Sequence, residues 1–155
     1  MMERKNIGLE MAGIKIRQYC AYQERCHSEV MEKLFYFGLN EDESGEVVSQ
    51  LISEDLLNEE RFARAFAGGK FRMKGWGKNK IKAALKQKRV SDYCIRKGLE
   101  EIGEDDYQKL FEKLFREKSA SLRSEKNKWK KMAAIRSFLL QRGFEHDRIN
   151  EAFSG

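Results

Sequence analysis

The sequence of 155 residues contains no proline. Proline breaks helices because its ring clashes with the preceding turn and it lacks a backbone N–H. Glycine and polar capping residues must therefore end the helices of this chain. The sequence also lacks an apolar run of 18 residues and a signal-peptide pattern at its start. We expect no transmembrane helix and a cytoplasmic location.

Residues suited to catalysis or metal binding are scarce. The chain has two histidines and three cysteines, and no CxxC pair occurs. Because the number of cysteines is odd and none belongs to a CxxC pair, the sequence predicts neither a disulfide framework nor a zinc knuckle. The motifs GxxxxGK[ST], GxGxxG and HExxH are also absent, and no pattern combines a nucleophile with a positioned base. We therefore predict no enzymatic activity, no catalytic residues, no metal ligands and no cofactor.

Helical periodicity is present along nearly the whole chain. Apolar residues recur at the i, i+3, i+4 spacing, most completely in Tyr107, Leu110, Phe111, Leu114 and Phe115. No useful segment has the period of 2 that is typical of strands, so the sequence predicts an all-α protein with about nine helices. The same spacing predicts that Met73 shares a helix face with Phe66. It also places Trp129 on a broad apolar face with Ile135.

Polar residues ahead of these apolar stripes predict where helices begin. Ser28, Asn58 and Ser91 are candidate caps, because their side-chain oxygens can accept hydrogen bonds from the first free amides of a helix. Asn40 is followed by Glu43 three residues later, which nearly matches a capping box.

One phrase occurs three times, as EKLFYFGLN, AALKQKRVS and SFLLQRGFE. Each predicts a helix, a tight corner with an apolar plug, and a second helix. Equivalent positions hold Leu34, Leu85 and Leu139, then Gly38, Arg89 and Gly143, then Leu39, Val90 and Phe144. Glycine adopts the left-handed corner conformation cheaply, so the corner at Arg89 is expected to be tighter or more strained. Chance similarity between amphipathic helix pairs is the alternative.

Repeats about 50 residues apart indicate stacked three-helix units, each burying its open face on a neighbour. We predict repeats at residues 14–57, 58–102 and 103–155. Residues 1–13 have no clear packing role in the sequence and are predicted as an N-terminal tail that is open to disorder.

Positive charge is concentrated in the middle of the chain. Residues 58–98 carry a net charge of +10, whereas residues 1–57 carry −5 and residues 99–155 carry +1. No acidic residue occurs between Glu60 and Asp92. This distribution predicts an anionic partner, and a solvated lysine-rich face is the alternative.

The helix predicted after Gly77 carries Lys78, Lys82 and Lys86 at intervals of four. Like charges at this spacing destabilise a helix by about 0.2–0.5 kcal/mol per pair, and an anionic partner would offset that cost. Nearby basic residues also lie off the apolar stripe. Trp76, in the Gly75-Trp76-Gly77 turn, can either stack on a base or pack under that turn. The nine basic candidates for partner or DNA contacts are Arg61, Arg64, Lys70, Arg72, Lys74, Lys78, Lys82, Lys86 and Arg89.

The central segment also carries a recognisable motif of a leucine, an acidic pair, Arg-Phe-Ala, a glycine, and an isoleucine and leucine four apart. Its residues here are Leu57, Glu59, Glu60, Arg61, Phe62, Ala63, Gly77, Ile81 and Leu85. This pattern resembles the signature of the RecX family, regulators of the bacterial recombinase RecA. The segments ERCHSEVMEKLFYFGL and LLQRGFEHDRINEAF are similar to the family's first and last units. Arg89 stands where the family usually has glycine.

The resemblance covers about residues 14–153 and implies three tandem three-helix repeats in an elongated, curved body. It implies a monomer that binds in the groove of the RecA–single-stranded DNA filament, with no membrane partner. It further implies inhibition of ATP hydrolysis and strand exchange and limited filament growth, and hence a role in DNA repair, recombination and the SOS response. Direct contact with single-stranded DNA stays open. The alternatives are a helical nucleic-acid-binding protein that acts alone and a scaffold for an acidic protein.

Overall fold

The computed structural model describes residues 4–154, and this part of the chain contains nine α-helices, one π-helical turn and no strand. The all-α prediction is therefore confirmed. The helices are α1 Leu9–Tyr22, α2 His27–Tyr36, α3 Glu41–Ser53, α4 Glu59–Gly69, α5 Lys78–Gln87, α6 Asp92–Leu99, α7 Glu104–Ser121, α8 Lys128–Arg142 and α9 His146–Ser154. The π-helical turn, Lys70–Lys74, follows α4 directly. Within residues 4–154, no helix combines the length and apolarity needed to cross a membrane.

Three of the four predicted helix starts are confirmed. The side chain of Asn40 accepts a hydrogen bond from the Glu43 amide, and the Glu43 carboxylate accepts one from the Asn40 amide, which completes the capping box. The side chains of Asn58 and Ser91 cap α4 and α6 by accepting one hydrogen bond each, from the amides of Arg61 and Cys94. The prediction for Ser28 is wrong, because α2 begins at His27 with Cys26 as its N-cap residue, so that Ser28 lies inside the first turn of the helix.

The three predicted helix corners share one hydrogen-bond geometry. At each corner, the plug amide donates to the carbonyl of the leucine five residues earlier, over 3.0–3.1 Å, in the pairs Leu39–Leu34, Val90–Leu85 and Phe144–Leu139. All six side chains are buried. Gly38, Arg89 and Gly143 have positive φ angles of 94°, 62° and 100°. This is the Schellman arrangement, so the repeated phrase of the sequence corresponds to a repeated structure.

Arg89 adopts the left-handed conformation that glycine adopts at the other two corners. A Cβ atom in this region costs about 1–2 kcal/mol. The Arg89 side chain is exposed and has no ion pair within the described part of the chain. We expect Arg89→Gly to raise the free energy of unfolding by about 1 kcal/mol, as measured by urea denaturation. A loss of stability of similar size would contradict this account of the corner.

The chain divides into two compact units. The first contains the chain up to Ala65 together with Leu85–Gly98, and the second contains Phe66–Ala84 and the chain from Leu99 onward. Three of the nine described helices belong to each predicted repeat interval, except that α1 begins at Leu9, ahead of residue 14. The compact units, however, divide α4 and α5 and separate Leu99 from the rest of α6. The repeat boundaries therefore stay a prediction.

The start of the first unit differs from the predicted tail. Helix α1 begins at Leu9, and Ala12 in its first turns is fully buried. Ahead of the helix, the Lys5 amide donates to the Tyr36 carbonyl over 2.6 Å. Residues 4–13 thus pack in the first unit because Ala12 joins the apolar core. The rest of the predicted tail, residues 1–3, lies outside the described residues.

Each unit has an apolar core. In the first unit, buried side chains of α1, α2 and α3 pack together, including Ile16, Leu34 and Leu51. In the second unit, three buried aromatic rings pack together in the core. The Phe144 ring centroid lies 5.2 Å from that of Tyr107 and 5.4 Å from that of Phe111.

Two predicted core residues are exposed. Met73 is 83% exposed, because it lies in the π-helical turn, where the 3.6-residue period no longer applies. Trp129, in the first turn of α8, is 77% exposed although Ile135 and Leu139 further along the same helix are buried.

Candidate interface for an anionic partner

The nine basic candidates occupy α4, the π-helical turn, α5 and the corner after α5. The first unit contains Arg61, Arg64, Lys86 and Arg89. The second unit contains Lys70, Arg72, Lys74, Lys78 and Lys82. The candidates differ in whether their charged groups already contact a carboxylate or an aromatic ring of the protein itself.

Arg61 is held by an internal network in the first unit. Its Nε donates to the Glu24 carboxylate over 2.6 Å, and its other nitrogens donate to the Asp55 carboxylate and carbonyl. The hydrogen bond to Glu24 is the main cause that raises the pKa of Arg61. Asp55 has a positive φ of 59° after α3. Arg61 therefore ties the α3 corner to α4, and a partner would have to compete with two carboxylates for it.

Arg64 and Glu60 form an i, i+4 ion pair on α4, with 3.3 Å between nitrogen and oxygen. Lys86 and Arg89, by contrast, are exposed. Neither side chain contacts a carboxylate within residues 4–154. In the first unit, the charge available to an anionic partner thus comes from the end of α5 more than from α4.

In the second unit, two of the candidates lie against aromatic rings. The Lys78 ammonium lies 4.7 Å from the centroid of the Tyr107 ring, and the Lys78 amide donates to the Tyr107 hydroxyl over 2.9 Å. The Lys70 ammonium lies 4.9 Å from the centroid of the Trp76 ring, and the ammonium of Lys80, which is not one of the nine candidates, lies 4.7 Å from the same centroid. Trp76 is half-buried. Both roles predicted for Trp76, stacking on a base and packing under its turn, therefore stay predictions.

Arg72, Lys74 and Lys82 are exposed, and none of them contacts a carboxylate within the described chain. The Arg72 guanidinium folds back over Gly68, one helical turn earlier. The backbone carbonyl of Lys74 accepts a hydrogen bond from Arg142 over 2.9 Å, which leaves its ammonium uninvolved. Among the nine candidates, these three side chains carry the charge of the second unit that is available to a partner.

Lys88 is a basic residue that periodicity did not select. Its ammonium lies 2.9 Å from the Glu29 carboxylate, and its carbonyl accepts a hydrogen bond of 2.6 Å from the Ser28 hydroxyl. Burial would raise the pKa of Glu29, but the hydrogen bonds from Lys88 and the Cys26 amide outweigh it and lower that pKa. The hydrogen bond to Glu29 raises the pKa of Lys88. Lys88 is thus a structural contact within the first unit, beside an open groove of about 730 Å³.

The basic residues of the candidate interface therefore fall into two classes. Four of the candidates, Arg61, Arg64, Lys70 and Lys78, have internal partners. The other five are exposed and have no carboxylate partner within residues 4–154: Arg72, Lys74, Lys82, Lys86 and Arg89. Unpaired cations on one stretch of chain can attract a polyanion or an acidic protein surface.

Comparison with known proteins places these features in a family. Residues 58–99 match the family model described as the second three-helix domain of RecX. The chain is 32% identical over 127 residues to the regulatory protein RecX of Clostridium perfringens, covering 81% of this chain and 59% of that protein. It is 30% identical over 151 residues to the regulatory protein RecX of Acinetobacter baylyi, covering 92% of this chain and 89% of that protein.

A solved structure agrees with the sequence comparisons. The fold is similar to the crystal structure of RecX from Lactobacillus salivarius, with a TM-score of 0.83, 25% identity and coverage of 94% of each chain. The chain spans only about three fifths of the Clostridium perfringens relative, whereas it spans most of the Acinetobacter baylyi relative and of this solved chain. On these similarities, the chain belongs to the RecX family of regulatory proteins.

Proposed function

We propose that this protein regulates the RecA recombinase, mainly as an inhibitor. It binds in the groove of the RecA–single-stranded DNA filament as a monomer in the cytoplasm, lowers ATP hydrolysis and strand exchange, and limits filament growth. Membership of the RecX family supports the regulatory role. The observation that carries the proposal for the contact surface is the set of five exposed, unpaired cations between Arg72 and Arg89.

The cost of keeping these charges together supports an anionic partner. Lys82 and Lys86 lie four residues apart on α5, and such a like-charge pair destabilises a helix by about 0.2–0.5 kcal/mol. Binding to phosphates or carboxylates offsets that cost. Several weak contacts on one chain also reinforce one another, because the first contact raises the effective concentration of the next.

The surroundings of each lysine on α5 decide which of them suit a charge-reversal variant. Lys78 is unsuitable, because its ammonium contacts the Tyr107 ring and its reversal would perturb the core of the second unit. Lys82 and Lys86 are exposed and unpaired in the described chain. We expect K82E/K86E to raise the concentration needed for half-inhibition of the RecA ATPase on single-stranded DNA by about tenfold to a hundredfold.

The matched control is K109E/K113E. Lys109 and Lys113 lie four apart on α7, are exposed, and have no carboxylate partner in the described residues. This control changes the net charge by the same amount and should leave inhibition within about twofold of the parent, because exposed single charges contribute little away from an interface. Equal inhibition by K82E/K86E and the parent protein would exclude this face of α5 as the contact surface.

The same five cations favour one second candidate, a helical protein that binds nucleic acid without RecA. Its signature is tight binding to DNA alone through Lys82 and Lys86, with a steep dependence on salt. Inhibition of RecA that persists when K82E/K86E has abolished this DNA binding would separate the two functions.

A further inference from the structure

The most exposed tryptophan of the protein lies outside the nine basic candidates. Trp129 is 77% exposed in the first turn of α8. It has no ring or cation contact within residues 4–154, whereas the Trp76 ring centroid lies 4.9 and 4.7 Å from two lysine ammonium groups. Exposing a large aromatic side chain forgoes the stabilisation that its burial would provide. The indole of Trp129 therefore presents free π surface.

Four lysines surround Trp129 in the sequence. They lie within three positions of it, on the α7–α8 connection and the first turn of α8, and they are Lys126, Lys128, Lys130 and Lys131. None contacts a carboxylate within the described chain. The nearby acid, Glu125, accepts a hydrogen bond from the Asn127 amide over 3.0 Å. The lysine charges are thus available to a ligand.

The backbone of this turn does not supply the anion site. The Asn127 side chain accepts hydrogen bonds from the amides of Trp129 and Lys130, over 3.0 and 3.2 Å. These amides are already satisfied by the cap. An anionic ligand would be held by the flexible lysine side chains, which suits a phosphate backbone and carries no sequence preference.

We propose that Trp129 and its four neighbouring lysines form a binding site for single-stranded nucleic acid. A base stacks on the exposed indole, and the ammonium groups contact the flanking phosphates. Aromatic side chains flanked by cations bind single strands in this way because every base has a π face, whereas the bases of a duplex are already stacked on each other. An acidic peptide would use the lysines but not the indole. This site is separate from the basic candidates and does not rest on the proposed action on RecA.

Tryptophan fluorescence tests the stacking directly. In a W76F variant, Trp129 is the remaining tryptophan, since the chain has two. We expect oligothymidylate, added without RecA, to quench its emission saturably. Poly-L-glutamate should bind more weakly and leave the emission nearly unchanged, and duplex DNA should bind more weakly than the single strand. Absence of quenching, or equal quenching by all three polyanions, would overturn the proposal.

Two variants and one control separate the roles of ring and charge. W129A should weaken binding of labelled oligothymidylate, measured by anisotropy, by about tenfold to a hundredfold. K128E/K130E should weaken it as well and reduce the slope of log affinity against log salt by about 1.4. The control K109E/K113E should bind like the parent. If W129A bound oligothymidylate as tightly as the parent, the proposed stacking site would be wrong. If only K82E/K86E lost affinity, the DNA-binding residues would lie on α5 and the proposal would also be wrong.

Discussion

Replacing Gly77 with alanine is expected to lower the free energy of unfolding by about 3 kcal/mol. Gly77 precedes α5 and lies against the corner that follows α8. Its amide donates to the Arg142 carbonyl over 2.7 Å, and the Asn79 amide donates to the Gly143 carbonyl over 2.9 Å. A Cβ atom on Gly77 would lie 2.3 Å from the Gly143 carbonyl carbon and 2.5 Å from the Phe144 nitrogen. Backbone atoms must move to admit it, and both hydrogen bonds would weaken.

Gly69→Ala is the matched control for this substitution. Gly69 belongs to the same compact unit, has helical φ and ψ angles of −64° and −47°, and has no atom within 4 Å of the position of an added Cβ. Alanine in a helix is more stable than glycine by about 0.5–1 kcal/mol. The same chemical change should therefore have opposite signs at the two sites in urea denaturation. If Gly77→Ala were neutral or stabilising, the close approach of α5 to the α8 corner would be wrong.

The helix corners are predictable from the sequence because their cause is local. A leucine, a left-handed residue and an apolar plug close one hydrogen-bonded ring within six residues. The pattern therefore indicates the geometry at Leu34–Leu39 without knowledge of the rest of the fold. It also predicts the geometry at Leu85–Val90, although Arg89 occupies the place of the glycine. The caps at Asn40 and Ser91 are local for the same reason.

Local sequence patterns do not predict which basic side chains are free to contact a partner. Periodicity places both Arg61 and Lys82 off the apolar stripe, and both are candidates on that basis. The structure pairs Arg61 with Glu24, which is 37 residues away in sequence, whereas Lys82 meets no carboxylate in the described chain. Ion pairs between distant elements depend on tertiary packing, so composition overstates the charge that a partner can reach.

Periodicity also fails where a helix departs from its ordinary geometry or where a helix face is only partly covered. The π-helical turn moves Met73 away from the face of Phe66. In α8, the period assigns Trp129 to the same broad face as Ile135, but it does not show how much of that face a neighbour covers. The exposed indole is thus a result that only the structure supplies. The lysines that surround Trp129 in the sequence are the second basis of the proposed single-strand site.

Truncation of Phe144 is expected to have the largest effect on stability in the aromatic core of the second unit. Phe144 is fully buried, and its ring contacts those of Tyr107 and Phe111. Phe144→Ala should lower the free energy of unfolding by about 3–5 kcal/mol, since it removes apolar area and leaves a cavity. Urea denaturation followed by circular dichroism measures the loss.

Trp129→Ala removes a larger side chain from the same unit and is the control for this prediction. Because Trp129 is 77% exposed, we expect its truncation to change the free energy of unfolding by less than about 0.5 kcal/mol. The two variants thus test whether the structure assigns these aromatic residues to the right roles. A Phe144→Ala protein as stable as the parent would show that the plug at the third corner is not packed as described. A large loss in Trp129→Ala would mean that the indole is covered by the protein itself, which would also remove the free surface that base stacking requires.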